Sequence, residues 1–570
     1  MSAELMKIGG ESFREIRENG CCYVDKTGFI AELLPWSSKA SLIARPPKFG
    51  MTLMLDMLAE FLDIRRDSRA IFDGLAVSKD KELCDEWMNQ HPTVLVSFKS
   101  VVGPTYEEAV EQIRKCVSEL YASFSFPADS PAIDSFDKRQ LEKLKAGKGS
   151  RAVLSGSLYA LCRLLRMHYG KRAIVLVDAY DVPLAKAQEN GYYREMIDFL
   201  RRMLGSALKG NESLEFGILA GCLKMTSGTC FSGFNNLTYS DISSVRYDDK
   251  FGFTSREVDD LLDAAGFPEK KDIVKEWYGG YQIGKETDLC CPQSVLQYID
   301  DLQHDPNAMP RPYRGSTGGA DIMRGLLEHS HKGFQYTLRD LMTGSCLGIQ
   351  INDMLSYDSL YDYDDSRWSF LYFAGYLTKA SPEQMDKRKF HPCEGDVVLV
   401  VPNKEVLGIY GCVTSSLFRE AVQKEDRTEL FEVFWAEDAA GLTERLEWYL
   451  QTAVSSYNIR TDYYQAFLAE LFSCKEWELC AGGKLGLGSP AVVLRDKSSA
   501  RAAVIEVRRA ESCEKLPSAA EEALSQAESS QYAKALKAEQ YEAVSLWGMA
   551  FYKYRCELRV KVSAMHNACF

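Results

Sequence analysis

The chain has 570 residues, 46% of them hydrophobic and 11% aromatic, a composition that predicts a fully folded protein of roughly two to four domains. Its net charge of -13 argues against a broad basic surface for nonspecific nucleic-acid binding. The 17 cysteines contain no Cys-x-x-Cys pair, and no apolar run approaches the about 18 residues that cross a membrane. We therefore expect free thiols, a cytoplasmic location and no membrane partner.

Residues 1–248 alternate short apolar runs with longer helical patterns. The runs at residues 92–98, 172–178 and 216–221 are mostly apolar throughout, as strands buried on both faces are. A shorter apolar run, Ser41 to Ile43, is followed by a helical pattern. This alternation predicts an α/β domain with a doubly wound parallel sheet.

The rest of the chain predicts two further domains. Residues 249–440 indicate a middle, mostly helical or mixed module with an aromatic-rich run from Tyr357 to Tyr376. Residues 441–570 indicate a small α/β domain, with an Ala-rich helix over residues 518–537 and a strand near residues 543–552. We therefore expect three domains in this order.

The loop after the first apolar run has the pattern of a phosphate-binding turn. Lys48, Gly50, Met51 and Thr52 lie between a predicted strand and a predicted helix. In such a turn, backbone N–H groups and the helix dipole hold phosphates, a Lys reaches the outer phosphates and a hydroxyl binds Mg²⁺. Gly50 and Thr52 are present here, but Met51 stands where the Lys belongs.

Other stretches complete a recognisable pattern, namely Tyr23-Val24-Asp25-Lys26-Thr27, Val177-Asp178-Ala179-Tyr180-Asp181-Val182-Pro183-Leu184, Gly221-Cys222-Leu223, Gly233-Phe234-Asn235-Asn236, Phe251-Gly252-Phe253-Thr254, Glu276-Trp277-Tyr278-Gly279-Gly280-Tyr281, Gly375-Tyr376-Leu377 and Pro402-Asn403-Lys404-Glu405. With the loop, they make the chain resemble, nearly end to end, the bacterial and archaeal AAA-ATPase-like proteins that carry a C-terminal PD-(D/E)xK nuclease-like domain. The resemblance implies a prokaryotic protein with an AAA-type P-loop sheet domain (1–248), a middle module (249–440) and a restriction-endonuclease-like α/β domain (441–570).

In the first domain the resemblance implies a nucleotide site. The family loop ends Phe-Gly-Lys-Thr and lacks a leading glycine, as this chain does at Arg45. Met51 can neither donate to phosphate nor carry charge, and Lys48 is the candidate surrogate. The implied nucleotide-binding residues are Arg45, Lys48, Gly50, Thr52, Asp178 and Lys224, with ATP or ADP and Mg²⁺ as the candidate ligands.

The second half of this site follows the strand that ends at Asp178. An acidic residue there holds Mg²⁺, and the family has a Glu at the next position, where this chain has Ala179. Asp181 lies three residues past Asp178 and is expected to turn the chain before a helix. Lys224 replaces a family Arg, which removes a planar donor fork.

The third site lies in the C-terminal domain. PD-(D/E)xK nucleases need an Asp on one strand, then an acidic residue and a Lys two positions apart on the next. Here Ala491 stands in place of the Asp, Glu506 is kept and Arg508 replaces the Lys. Gln526 matches a family Gln. One carboxylate alone is a poor Mg²⁺ site.

These losses lead to three hypotheses. The first is a catalytically impaired member of the family, a pseudoenzyme that binds a nucleotide, a nucleic acid or a protein such as an active paralogue. The second is a weakly active ATPase in which Lys48 and Asp181 act as displaced catalytic groups. The third is a ligand-free scaffold, in which Met51 fills the phosphate space, Asp178 only ends its strand and Glu506 only pairs with a neighbouring Arg.

Overall fold

The computed structural model describes residues 8, 10, 12–36, 38–124, 133–224, 237–314, 319–357, 360–424, 426–452 and 461–563. Two compact units make up the chain, one from Met1–Ser330 with Cys346–Ile409 and the other from His331–Ser345 with Tyr410–Phe570. The three domain ranges inferred from the sequence stay a prediction. The stretch Gly233 to Asn236 lies outside the described residues.

A five-stranded, entirely parallel sheet forms the centre of the first unit. Its strands lie in the order β2-β3-β4-β1-β5. Every residue of the third strand is buried, which is what its uninterrupted apolar sequence requires. The four apolar runs of the sequence are confirmed as strands, while the fifth strand was not predicted. The bounds are β1 (Ala40–Ala44), β2 (Thr93–Ser97), β3 (Ala173–Asp178), β4 (Leu214–Gly221) and β5 (Leu237–Ser240).

Helices surround this sheet. They are α1 (Phe13–Glu18), α2 (Gly28–Leu33), α3 (Met51–Leu62), α4 (Arg69–Phe72), α5 (Lys81–Trp87), α6 (Tyr106–Ala122), α7 (Ser135–Lys145), α8 (Arg151–Ser155), α9 (Ser157–Tyr169), α10 (Val182–Glu189) and α11 (Tyr193–Leu208). Helix α3 starts directly after the loop that leaves β1, and it buries Leu55, Leu58 and Phe61 in an apolar cluster shared with strands β1, β3 and β4. This packing fixes the start of α3 at the carboxyl edge of the sheet.

The segments that follow are mostly helical, as the sequence predicts. They comprise α12 (Ser255–Ala265), α13 (Lys271–Tyr278), α14 (Pro292–His304), α15 (Gly319–Glu328), α16 (Lys332–Met342), α17 (Asp364–Phe373), α18 (Pro382–Lys387) and α19 (Lys404–Lys424). Two small antiparallel sheets accompany them, one of β6 (Tyr281–Ile283) with β7 (Glu286–Leu289) and one of β8 (Leu347–Ile349), β9 (Thr378–Lys379) and β10 (Val397–Val400). No described helix is both long and apolar enough to cross a membrane.

The second unit contains a mixed five-stranded sheet in the order β11-β12-β13-β14-β15. Strands β13 and β14 are parallel and the other neighbours are antiparallel. A parallel pair needs a crossover connection, and here it contains two α-helices. The elements are α20 (Thr428–Trp435), α21 (Ala439–Thr452), α22 (Thr461–Leu471), β11 (Glu478–Ala481), β12 (Val492–Asp496), β13 (Arg501–Arg509), α23 (Leu516–Ser529), α24 (Tyr532–Ala538), β14 (Ala543–Tyr552) and β15 (Arg555–Ser563).

The single helix predicted over residues 518–537 is instead two helices. Helix α23 ends at Ser529 and α24 begins at Tyr532, because Gln531 takes a left-handed φ of 57° that no α-helix accommodates. The Ala-rich composition gave no sign of this break. The turn places the Tyr532 side chain in the interior, where it is 1% exposed.

Candidate functional site

The loop between β1 and α3 leaves its backbone open to solvent. Lys48 and Gly50 take left-handed φ values of 73° and 88°, and Gly50 and Thr52 are exposed. Within the described residues, no acceptor faces the backbone N–H groups from Lys48 to Leu53. Unpaired N–H groups at the start of a twelve-residue helix form a cradle with partial positive charge, which suits an anion.

Thr52 and Asp178 meet at the carboxyl edge of the sheet. The Thr52 hydroxyl donates to the Asp178 carboxylate, with Oγ1 3.1 Å from Oδ2. The Ser97 hydroxyl donates to the same Oδ2 at 3.0 Å, because β2 and β3 pair Ser97 with Asp178 in register. Asp178 is 4% exposed and Thr52 is exposed, so the carboxylate lies just beneath the cradle. The structure thus brings together two of the residues named from the sequence and adds Ser97, which sequence reasoning missed.

Met51 is the first residue of α3 and offers only apolar side-chain surface. It is half-buried and packs against the apolar cluster beneath α3. Gly50 and Thr52, on either side of it in sequence, remain exposed. A thioether packed in this way gives the cradle no charge and no donor.

Arg45 has a role in holding the loop. Its guanidinium donates to the carbonyl oxygens of Ala44 and Ser240 at 2.9 Å and of Tyr247 at 3.1 Å, and it lies 5.0 Å from the ring centre of Phe251. The residue is 0% exposed, and burial lowers the pKa of the guanidinium to about 10. A phosphate in the cradle cannot reach a side chain enclosed in this way, so Arg45 supports the base of the loop from inside.

Ala179 and Asp181 follow Asp178 in the chain, and neither places a polar side-chain group in the open cradle. Ala179 takes a left-handed φ of 53° directly after the strand end, and its methyl side chain offers no polar atom. Asp181 is 3% exposed, and its Oδ2 accepts the N–H groups of Cys222 and Leu223 at 2.8 and 3.1 Å. Burial raises the pKa of Asp181 to about 6, against the effect of these backbone bonds. Its carboxylate therefore ties β3 to the end of β4 and does not face the open cradle.

Lys224 follows the end of β4 and is already paired. Its ammonium lies 3.5 Å from Oδ2 of Asp241 and 5.2 Å from the ring centre of Tyr239. Burial opposes ionisation of Asp241, but bonds from Ser243 and the charge of Lys224 still hold the pKa of this carboxyl below its usual range. Lys224 can reach an anion in the cradle only by giving up this partner.

An apolar cavity of about 140 Å³ adjoins the loop and the first turn of α3. Its wall comes from four stretches of chain that are distant in sequence, including Tyr23, Val24, Phe49, Leu53, Phe253 and Leu296. The cavity's Lys26 is ion-paired with Glu257 at 2.7 Å, and burial lowers its pKa despite this partner. Spacing along the chain does not show that these stretches converge, so the cavity could not be predicted from the sequence.

In the second unit, the three residues that the resemblance singled out, Glu506, Arg508 and Gln526, lie close together. Glu506 is 5% exposed and accepts a hydrogen bond from the Tyr532 hydroxyl at 2.8 Å. Burial raises the pKa of Glu506, while bonds from Tyr532 and Gln526 and the charge of Arg508 oppose the rise. Arg508 donates to Gln526 at 3.1 Å and lies 3.4 Å from Glu522. These side chains therefore serve as hydrogen-bond and ion-pair partners for one another.

Residue 491, where the resemblance led us to expect a second carboxylate, is an alanine. Ala491 is 1% exposed and lies in the apolar cluster beneath the sheet. Among the described residues, no group of three or more His, Cys, Asp or Glu side chains is arranged to hold a metal ion. Any Mg²⁺ at Asp178 would therefore need ligand or water oxygens to complete its coordination.

Comparisons with known proteins support the first of these regions. Residues 7–231 match the family model AAA-ATPase_like, described as a predicted AAA-ATPase. That range includes the cradle, Asp178 and Lys224, and the five-stranded parallel sheet is consistent with a P-loop-like domain. The nuclease-like character of the C-terminal region stays a prediction.

One curated relative is an uncharacterized protein in the vnfD 5' region of Azotobacter chroococcum mcd 1. It is 27% identical over 383 residues, which are 66% of this chain and 64% of the relative. The chain thus matches less than two thirds of that relative's length.

Proposed function

We propose that the first unit binds an adenine nucleotide, ATP or ADP, together with Mg²⁺ and does not turn it over at an appreciable rate. One observation carries the proposal, namely the Thr52 hydroxyl hydrogen-bonded to Asp178 beneath an open row of backbone N–H groups. A hydroxyl hydrogen-bonded to a carboxylate can hold a hydrated Mg²⁺ ion. The N–H groups above this pair can donate hydrogen bonds to the nucleotide phosphates that Mg²⁺ also binds.

The apolar cavity beside the loop supports a nucleotide over free phosphate. It begins at Phe49 and Gly50, the residues that form the cradle, and its wall is largely aromatic and aliphatic. Flat heterocycles bury well against such a surface, and ligand pockets are typically apolar with few polar groups. Both lysines that line it are ion-paired, Lys26 to Glu257 and Lys250 to Glu32, which suits an uncharged base.

Impaired turnover follows from what surrounds the cradle. Met51 packs inward and Ala179 has no group to orient a water. Asp181 is enclosed and held by two backbone N–H groups, so it is poorly placed to act as the displaced base of the weakly active alternative. Binding energy remains, but the groups that stabilise phosphoryl transfer are missing.

For the C-terminal module we propose a nuclease-like fold without metal-dependent cleavage. Its support is the hydrogen bond from Tyr532 to Glu506, which occupies the one remaining carboxylate, together with the buried apolar Ala491. The module would then contribute by contact with a nucleic acid or with a protein such as an active paralogue.

The test is calorimetric titration of the full chain with Mg-ATP and Mg-ADP, beside a phosphate-release assay. Thr52→Val should weaken binding in the presence of Mg²⁺ by about tenfold, because it removes one hydroxyl beside the ion. The matched control is Thr238→Val, whose hydroxyl bonds Ser38 and Ser41 near the opposite edge of the sheet. Absence of binding by the unaltered chain would refute the proposal, and rapid phosphate release would refute impaired turnover.

A reversal tests the same proposal from the other side. Met51→Lys with Ala179→Glu should introduce measurable ATP hydrolysis, since it restores a phosphate-binding cation and a group that orients water. Ala179 already holds a left-handed backbone with a Cβ, so Glu adds little backbone strain at that position. Continued inactivity with intact binding would mean that Lys224 or the buried Asp181 also limits the reaction.

A further inference from the structure

We infer that Lys48, assisted by Lys99, supplies the positive charge for the phosphate tail that Met51 does not. The inference rests on the proposed function and names the cations of that same site. The phosphate-binding lysine would then lie in the loop before α3, and not at the first residue of α3, where Met51 stands.

The backbone of Lys48 is the first observation. Its φ of 73° is uncommon for a residue with a Cβ, and such strain is kept where surrounding structure enforces it. Neighbouring contacts do enforce it here. The Cys291 thiol lies 3.8 Å from the Lys48 carbonyl, Phe49 packs edge-on against Tyr281 at 5.0 Å, and the Gly252 N–H donates to the Phe49 carbonyl at 3.3 Å.

The position of the ammonium is the second observation. Burial lowers the pKa of Lys48, and the charges of Lys99 and Arg314 lower it further, while the thiols of Cys291 and Cys222 act in the opposite sense. Lys99 follows the end of β2 and Cys222 follows the end of β4, the two strands that flank β3 and its Asp178. Lys48 itself lies in the loop that leaves the carboxyl end of β1, so its side chain starts from the same edge of the parallel sheet as Asp178.

The lack of a carboxylate partner is the third observation. In the part of the chain that the structure describes, neither Lys48 nor Lys99 forms an ion pair or a side-chain hydrogen bond. Arg314 is buried and engaged by the Tyr281 hydroxyl and the Ala374 carbonyl, so it adds charge from behind without reaching the surface. Two lysine side chains that pair with no described carboxylate, beside backbone N–H groups that no described residue accepts, suit a polyphosphate.

The experiment measures affinities of the full chain for ADP, ATP and tripolyphosphate by calorimetry, with and without Mg²⁺. Lys48→Ala should weaken all three by about tenfold or more, because a charge-assisted bond to phosphate is lost. Lys99→Ala should weaken them by about threefold, since that side chain is exposed. Lys39→Ala is the control, because its ammonium binds the Leu214 and Glu215 carbonyls at the other end of β1.

A rescue separates phosphate binding from support of the loop. In the Lys48→Ala background, Met51→Lys should restore most of the lost affinity, and Lys48→Arg alone should stay within about threefold of the unaltered chain. Thermal melting of each variant shows whether it folds. Unchanged affinity in Lys48→Ala overturns this inference and leaves the proposed function standing, whereas absence of binding by the unaltered chain overturns both.

Discussion

Each unit contains one region where the family resemblance led us to expect catalytic side chains that the sequence does not have, and the two regions differ in how their remaining polar groups are arranged. At the loop after β1, the groups suited to a ligand are backbone N–H donors above a Thr52–Asp178 pair, and no residue that the structure describes accepts a hydrogen bond from these N–H groups. At the C-terminal sheet, the site consists of side chains, and Glu506, Gln526, Arg508 and Tyr532 bind one another. Backbone N–H groups stay available for a ligand when side chains are substituted. Where the polar groups belong to side chains, substituted side chains can hydrogen-bond one another and leave no group for a ligand.

The largest expected effect tests the backbone half of this comparison. Arg45→Ala should lower the free energy of unfolding by about 2–4 kcal/mol, because it leaves the carbonyl oxygens of Ala44, Ser240 and Tyr247 without this donor and leaves unfilled the space of a fully buried side chain. Nucleotide affinity should fall in parallel, since the loop loses its base. Urea denaturation measures the change, and Arg69→Ala, whose ion pair with Asp85 is largely exposed, should alter it by under about 0.5 kcal/mol. Wild-type stability in Arg45→Ala would show that the loop needs no such support.

A pH series on Asp181→Asn tests the enclosed carboxylate next to the cradle. The pKa of Asp181 is raised from 3.8 to about 6 by burial, so its contribution to stability is fully present below pH 4 and is lost as pH rises through 6. The asparagine variant should equal the unaltered chain below pH 4 and exceed it by about 3 kcal/mol above pH 7. Urea midpoints at several pH values measure the difference, and a difference independent of pH would contradict the assignment.

Loss of a single hydroxyl tests the side-chain half of the comparison. Tyr532→Phe should destabilise the second unit by about 1–3 kcal/mol, because the buried Glu506 loses a direct donor. Thermal or urea unfolding measures the change. Adding Mg²⁺ or Mn²⁺ should not restore the loss if the carboxylate belongs to a metal-free network. Recovery of stability with either ion would instead show that a metal site survives at Glu506.

The smallest effect belongs to the exposed end of the same network. Arg508→Ala should cost about 0.5 kcal/mol or less, because its pair with Glu522 lies in solvent and such pairs contribute little. Comparison with Tyr532→Phe under the same urea conditions separates the buried bond from the exposed one. A cost near that of Tyr532→Phe would mean that Arg508 is an essential part of the network.

Several features followed from sequence alone because they depend on local order. The apolar runs around Leu42, Val96 and Val175 form parallel strands because such runs are stable only when both faces are buried. The tight turn expected at Gly50, between a strand and a helix, is present, and Gly50 takes the left-handed φ that glycine tolerates best. Asp178 at a strand end and Thr52 at a helix start were placed by the same reasoning, and their contact follows from parallel strands sharing one edge.

Other features required the tertiary structure because they depend on which distant groups meet. Ser97 joins Asp178 through the register of β2 with β3, and the cavity beside the loop forms from stretches far apart in sequence. The enclosure of Arg45 by carbonyl groups, the seclusion of Asp181 and the bond from Tyr532 to Glu506 are likewise set by burial. The sequence by itself determined that Met51, Ala179, Ala491 and Arg508 differ from the residues that the resemblance led us to expect. Only the packing decided that, among the described residues, the N–H groups after β1 have no acceptor while Glu506 is held by the hydroxyl of Tyr532.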